Sequence, residues 1–320
     1  MEVQMNSQGQ AQRVLVVANK SWEADPLVSV CLNPKLRPPT QLDLWTPGAA
    51  GLFSTPVTGV RPAGVAPAPR CICTAGTVSI EVWCIQDWMG KANPSSSKIK
   101  IQEALPAIFN AGKQPDFVIA FGTAGFPDAA TANGCVAIGS SAYLFNPYRD
   151  PPAGVTHDPR DDWDDPSRVG HLLTSDKGAG VVNQFSLIPD LRFPIDGRLS
   201  PAPTNPAISP VILPAGNFVA LSEVNITNYD DYAWTDRLAF ERFRAENPAA
   251  PVGSIETTHA LIRIMSDAPF IFVSGLTDRL GYFDQDLGPR TVAQNFLAAH
   301  NAGIAVVWTL AQILKRMIRG

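Results

Sequence analysis

Long apolar runs are missing from this chain: no stretch of about 18 apolar residues occurs, so no membrane span is indicated. Positive charge is not in excess either. The formal net charge is −4, whereas a nucleic-acid backbone needs a basic face, so nucleic acid is not expected as the main partner. Residues 1–12 are polar and carry no signal-peptide apolar core; they read as a loose tail before one domain over 13–320. The cysteines, Cys31, Cys71, Cys73, Cys84 and Cys135, are odd in number and match no zinc spacing. Cys71-Ile72-Cys73 is expected to alternate faces on a strand, so that the two thiols do not share a site. Reduced core cysteines in a cytoplasmic protein are the reading adopted. A Walker loop is lacking, because no Lys-Ser/Thr follows the Gly122-Thr123-Ala124-Gly125 stretch. The acidic cluster of Asp158, Asp161, Asp162, Asp164 and Asp165 lacks EF-hand spacing and reads as a solvated loop.

What is present is enough apolar material for a sizeable core: 45% hydrophobic residues against 17% charged. Arg13 to Ala18 is a strand, and Asp25-Pro26 reads as a helix start, with Asp25 as N-cap and Pro26 in the first turn. Asp25 is also a carboxylate near the tip of that strand. Thr77 to Asp87 alternates as a strand, and Ser95 to Ala111 has helical periodicity. Asp116 to Phe121 is a buried strand running into a small-residue turn, where Gly122 and Gly125 allow φ > 0 and close ligand approach. Further strands fall at Cys135 to Gly139 and Asn217 to Ser222, and a helix at Arg237 to Asn247. Residues 146–215 are rich in proline and form an insertion, read as a lid or an interface arm. Tyr229 and Tyr232, beside Asp and Asn in an expected loop, suit a stacking platform for a flat ligand.

The chain is organised around Phe270 to Asp278, an apolar strand ending in a carboxylate, where ligands sit in open α/β sheets. Glu256 opens an apolar segment with helical character, and its carboxylate is expected to face the same cavity as Asp278. His259, just beyond, reads as a packed or capping histidine. The last helix spans Thr291 to Ile318, with Gly303 marking a kink or break. The pattern predicts a single α/β domain with a mixed central β-sheet flanked by helices.

Three segments together resemble the nucleoside phosphorylase/nucleosidase superfamily, nearest its 5′-methylthioadenosine/S-adenosylhomocysteine nucleosidase branch. Phe121-Gly122-Thr123-Ala124-Gly125 is similar to the family's strand followed by Gly-Ser/Thr-Ala-Gly. Ser254-Ile255-Glu256 is similar to its Glu-Met-Glu, and Leu276-Thr277-Asp278 to its Ile-Ser-Asp. The resemblance implies cleavage of an N-glycosidic bond in a purine nucleoside or thionucleoside. Asp278 would be the general acid and Glu256 the ribose-binding carboxylate, with Ile255 under the sugar. Thr123, Ala124 and Gly125 would line the substrate site. Tyr229 or Tyr232 would stack on the base, and Asp25, with Glu23 as second choice, would orient the attacking water.

The resemblance implies no cofactor and no metal, a small-molecule nucleoside as partner, and a homo-oligomer: a dimer, trimer or hexamer. Ser254, Ile255 and Ser274 depart from the family pattern, and Phe121 and Ala120 stand where hexameric phosphorylases place a phosphate arginine. Arg279 follows Asp278 but is expected to point away or to pair with Asp284 or Asp286. Hydrolysis is favoured over phosphorolysis. The alternatives are a phosphate-dependent phosphorylase and a non-catalytic nucleoside-binding or storage protein.

Overall fold

Six consecutive residues of the first strand, Arg13 to Ala18, are buried, although the strand alternates its side chains between two faces. Val14, Val16 and Ala18 pack into one apolar cluster with Leu27 and Val30 on one side of the sheet. Leu15 and Val17 pack into another with Leu105 and Ile108 on the opposite side. A strand covered on both faces reads as a continuous apolar run, which is the pattern seen in the sequence.

The structure is a computed structural model that describes residues 12–32, 46–47, 68–75, 78–89, 101–127, 134–149, 151, 153–155, 167–183, 212–213, 217–224, 232–286 and 291–317. Tyr229, the acidic cluster at 158–165 and residues 95–100 of the expected 95–111 helix lie outside these residues.

The chain runs β1 (Gln12–Ala18), α1 (Ser21–Leu32), β2 (Thr46–Pro47), β3 (Cys71–Ala75), β4 (Val78–Cys84), α2 (Gln86–Met89), α3 (Ile101–Phe109), β5 (Phe117–Phe126) and β6 (Val136–Phe145). It continues through β7 (Leu172–Leu173), α4 (Asp176–Val182), β8 (Phe218–Glu223), α5 (Tyr232–Glu246), β9 (Val252–Glu256), α6 (His259–Arg263), β10 (Phe270–Arg279), α7 (Phe283–Asp286) and α8 (Thr291–Met317). This is a mixed α/β fold around one sheet. The order is β10-β6-β8-β9-β5-β1-β4-β3-β2, and β10 also pairs with β5. Strands β5, β9, β8, β6 and β10 therefore close into a ring, and β1 to β4 extend from β5 as an open wing. The ring closes between β5 and β9 through one residue pair, Gly125 opposite Ile255.

Several local expectations are corrected. Helix α1 begins at Ser21, so Asp25 is inside it and does not cap it. Gly122 and Gly125 belong to β5, and neither is among the glycines with positive φ. Glu256 ends strand β9 and does not open a helix; α6 starts three residues later. Helix α8 passes Gly303 without a break. Cys71 and Cys73 are two apart, so on a strand they share a face. Their sulfurs are 3.3 Å from each other, and the expectation that they point apart fails. The described part of the insertion is built into the fold: β7 pairs with β6, and Val181 and Val182 of α4 join the core.

Candidate active site

Three strands deliver the cavity. Its walls come from the ends of β5, β9 and β10 and from the starts of α1 and α6, with α5, α7 and α8 closing the sides, and it holds about 730 Å³ including its open mouth. Glu23, Asp236, Glu256 and Asp278 all line it. Each of the four is buried. Asp278 and Glu256, singled out in the sequence, thus meet at one hollow.

Asp278 is aimed by an irregularity. Leu276 pairs with Ala124 and Asp278 with Gly125, so Thr277 is an extra residue on β10. A bulge of this kind turns the following side chain to the other face of the strand. The carboxyl then lies where Gly125 has no side chain: a Cβ there would stand 3.1 Å from Asp278 Oδ2. Burial, then the charge of Asp236, pushes the Asp278 pKa up to about 7, against a hydrogen bond from the Thr277 hydroxyl at 2.6 Å that lowers it. A carboxylic acid near that value holds a proton and can release it at neutral pH.

Behind Asp278 sits a second acid pair. It comprises Asp236 on α5 and Glu223 at the end of β8, buried close enough to shift each other's titration. Burial raises both pKa values, and Asp236 adds its charge to the rise at Glu223. The sequence reading began this helix at Arg237 and missed Asp236. The signal was its spacing of four from Tyr232, which puts both on one helix face.

Glu256 is held from several sides. Its Oε2 accepts the backbone N–H groups of Thr258 and His259, the latter at 2.8 Å, and the Thr258 hydroxyl at 3.1 Å. Its Oε1 accepts the Ser222 hydroxyl. A carboxylate has about four acceptor positions, so Oε1 keeps one for a ligand hydroxyl.

The α1 carboxylate that lines the cavity is Glu23, not Asp25. Glu23 Oε2 accepts the N–H groups of Asn19 (3.1 Å) and Lys20 (2.8 Å) at the start of α1. Its Oε1 accepts the N–H and the hydroxyl of Thr123 at 2.8 and 2.9 Å. Burial raises its pKa, and these donors oppose the rise. Asp25 is absent from the cavity wall and pairs with Arg70, which also holds Asp87 at 2.6 Å. Two helical positions separate the Asp25–Arg70 ion pair from the carboxylate that lines the cavity.

Tyr232 opens α5, not a loop, and stacks on Phe283 with ring centroids 5.3 Å apart at 24°. Both rings line the cavity, as do Thr123, Ala124, Gly125 and Ile255. Arg279 points away: its guanidinium donates twice to Asp286 at 2.8 Å. Among the described residues no group of His, Cys, Asp and Glu side chains could hold a metal ion.

The fold is that of the nucleoside phosphorylases and nucleosidases. It is similar to a solved 5′-methylthioadenosine/S-adenosyl homocysteine nucleosidase of Helicobacter pylori, complexed with a pyrrolopyrimidine-bearing pyrrolidinol, at 9% identity over 95% of this chain and 99% of that one, TM-score 0.51. It is similar also to the futalosine hydrolase of Helicobacter pylori strain 26695, at 9% identity over 94% and 98%, TM-score 0.50. No family model matches the sequence. No curated protein matches it either.

Proposed function

We propose that this chain is an N-ribosyl hydrolase, a nucleosidase that cleaves the glycosidic bond of a purine nucleoside or thionucleoside. One observation carries the reading: a buried acid near neutrality, Asp278, and two anchored carboxylates, Glu256 and Glu23, share one cavity. The fold neighbours, a nucleosidase and a hydrolase, support it.

The reaction runs from those groups. Asp278 gives its proton to N7 of the purine, so the base can leave neutral. The electrons of the C1′–N9 bond depart with the base, and positive charge develops on the sugar. Glu256 accepts hydrogen bonds from the ribose hydroxyls and favours that charge. The Thr123 hydroxyl turns aside to free one position on Glu23 Oε1, and Glu23 then orients a water and takes its proton as the oxygen bonds to C1′. Free base and free sugar result, and solvent returns the proton from Glu23 to Asp278. Thr123 fixes Glu23, Ala124 and Gly125 line the sugar's path, Ile255 packs under the ring, and Tyr232 with Phe283 receives the base.

Hydrolysis fits better than phosphorolysis. Among the described residues of the cavity wall the only Lys or Arg is Lys20. The test is a nucleoside panel incubated with and without phosphate, scored for free base. Release independent of phosphate is expected. A strict phosphate requirement would move the chain to the phosphorylases, and binding without turnover, unchanged by Asp278→Asn, would make it a storage or binding protein. A homo-oligomer working in the cytoplasm belongs to the same reading, and sedimentation checks the oligomer.

A further inference from the structure

His259 is the first residue of α6 and is buried to 1% exposure, yet it lines the cavity. Its ring lies against Phe272, centroids 5.6 Å apart at 25°. Nδ1 is 3.4 Å from the Ser274 hydroxyl and 3.7 Å from Glu256 Oε1. The other nitrogen faces α1. A Cβ placed on Gly122 would stand 3.1 Å from both His259 Nε2 and Glu23 Oε1, so the two atoms flank the bare face of Gly122. Glu23 feels the imidazole electrically as well. Among the described residues, the charged groups facing this ring are Glu23 from α1 and Glu256 from β9; β10 offers the Ser274 hydroxyl and the Phe272 face, and β5 offers only Gly122.

We propose that His259 is a positioning residue for the hydrolysis: its imidazole ties the water-orienting carboxylate, Glu23, to the sugar-holding carboxylate, Glu256. The inference rests on the nucleosidase reading. Two buried carboxyl groups line one cavity on either side of this ring, and a donor between them holds them in register. Gly122 leaves the room that this ring and Glu23 share; any larger residue there would intrude on both.

The test compares the full-length wild type, His259→Phe and His259→Gln for kcat, KM, pH profile and melting temperature, with a substrate the wild type hydrolyses. Phenylalanine keeps the stack on Phe272 and removes both nitrogens. Glutamine carries an amide nitrogen near the place of Nε2. His259→Phe is expected to lower kcat about 100-fold with KM nearly unchanged. Its acid limb of kcat/KM should move to higher pH, because Glu23 then gains its proton more easily. His259→Gln should regain about ten-fold of that loss and part of the pH shift, since one link is restored. Equal losses in both variants that follow melting temperature alone, or an unchanged rate and acid limb in folded His259→Phe, would overturn the role of His259 while leaving the nucleosidase reading intact. A wild type that releases no base from any nucleoside would overturn both.

Discussion

The Asp278 proton sets the upper pH limit of the proposed reaction. Its pKa lies at about 7 and the acid form is the working form, so kcat/KM should fall as pH rises through about 7. A pH–rate profile measures this directly. The same shift bears on stability. The unfolded side chain loses its proton near 3.8, the folded one near 7, so the folded state binds more protons between these values and loses stability as pH rises across the window. Asp278→Asn removes the titration. It should abolish base release yet raise stability at pH 8 by a few kcal/mol, at about 1.4 kcal/mol per pH unit of displacement, read from urea midpoints at pH 5 and pH 8.

Two other residues discriminate between the sequence reading and the structure. Glu23→Gln is expected to lower kcat by about 100-fold or more, whereas Asp25→Asn should leave turnover nearly intact. Steady-state rates of the two variants decide it. Gly125→Ala should crowd the Asp278 carboxyl, since the new Cβ arrives 3.1 Å from Oδ2. A loss of about ten-fold in kcat with an unchanged fold by circular dichroism is the expected result.

At the scale of elements, α1 and α8 pack through Gly303. A Cβ there would be 3.3 Å from the Leu27 Cα. In the sequence this glycine resembled a break, because glycine weakens a helix interior and its packing role depends on a segment far upstream. Gly303→Val should therefore destabilise the chain by about 1–3 kcal/mol, measured by urea unfolding, through overpacking and not through helix bending. Arg70 is the second such contact. Its guanidinium joins the approach to β3 with Asp25 on α1 and Asp87 on α2. Arg70→Ala should cost about 3–5 kcal/mol, because two largely buried carboxylates lose their partner. The sequence could place α1 and α8 by their apolar residues, but neither β3 nor α2. It could not pair Asp25 with Arg70, since ion pairs between distant segments leave no periodic trace.

For the whole molecule, the α/β class and six of the strands were legible because buried strands announce themselves as short β-branched runs. The cavity was legible in outline: Asp278, Glu256 and Gly122 to Gly125 stand at strand ends, where topology concentrates ligand sites. Asp236, His259 and Phe283 were not. They reach the cavity from α5, α6 and α7, and no local pattern in those segments shows that they pack over the strand ends. The short β7 and α4 were hidden by the proline-rich composition around them.

That ring has one narrow seam. Where Gly125 meets Ile255, a single residue pair joins the strand carrying Glu256 to the strand that seats Asp278. Such a joint can part while the remaining ladders stay zipped. Gentle warming should then extinguish turnover several degrees before far-ultraviolet dichroism changes, and a bound nucleoside analogue, gripping both banks of the seam, should draw the two transitions together.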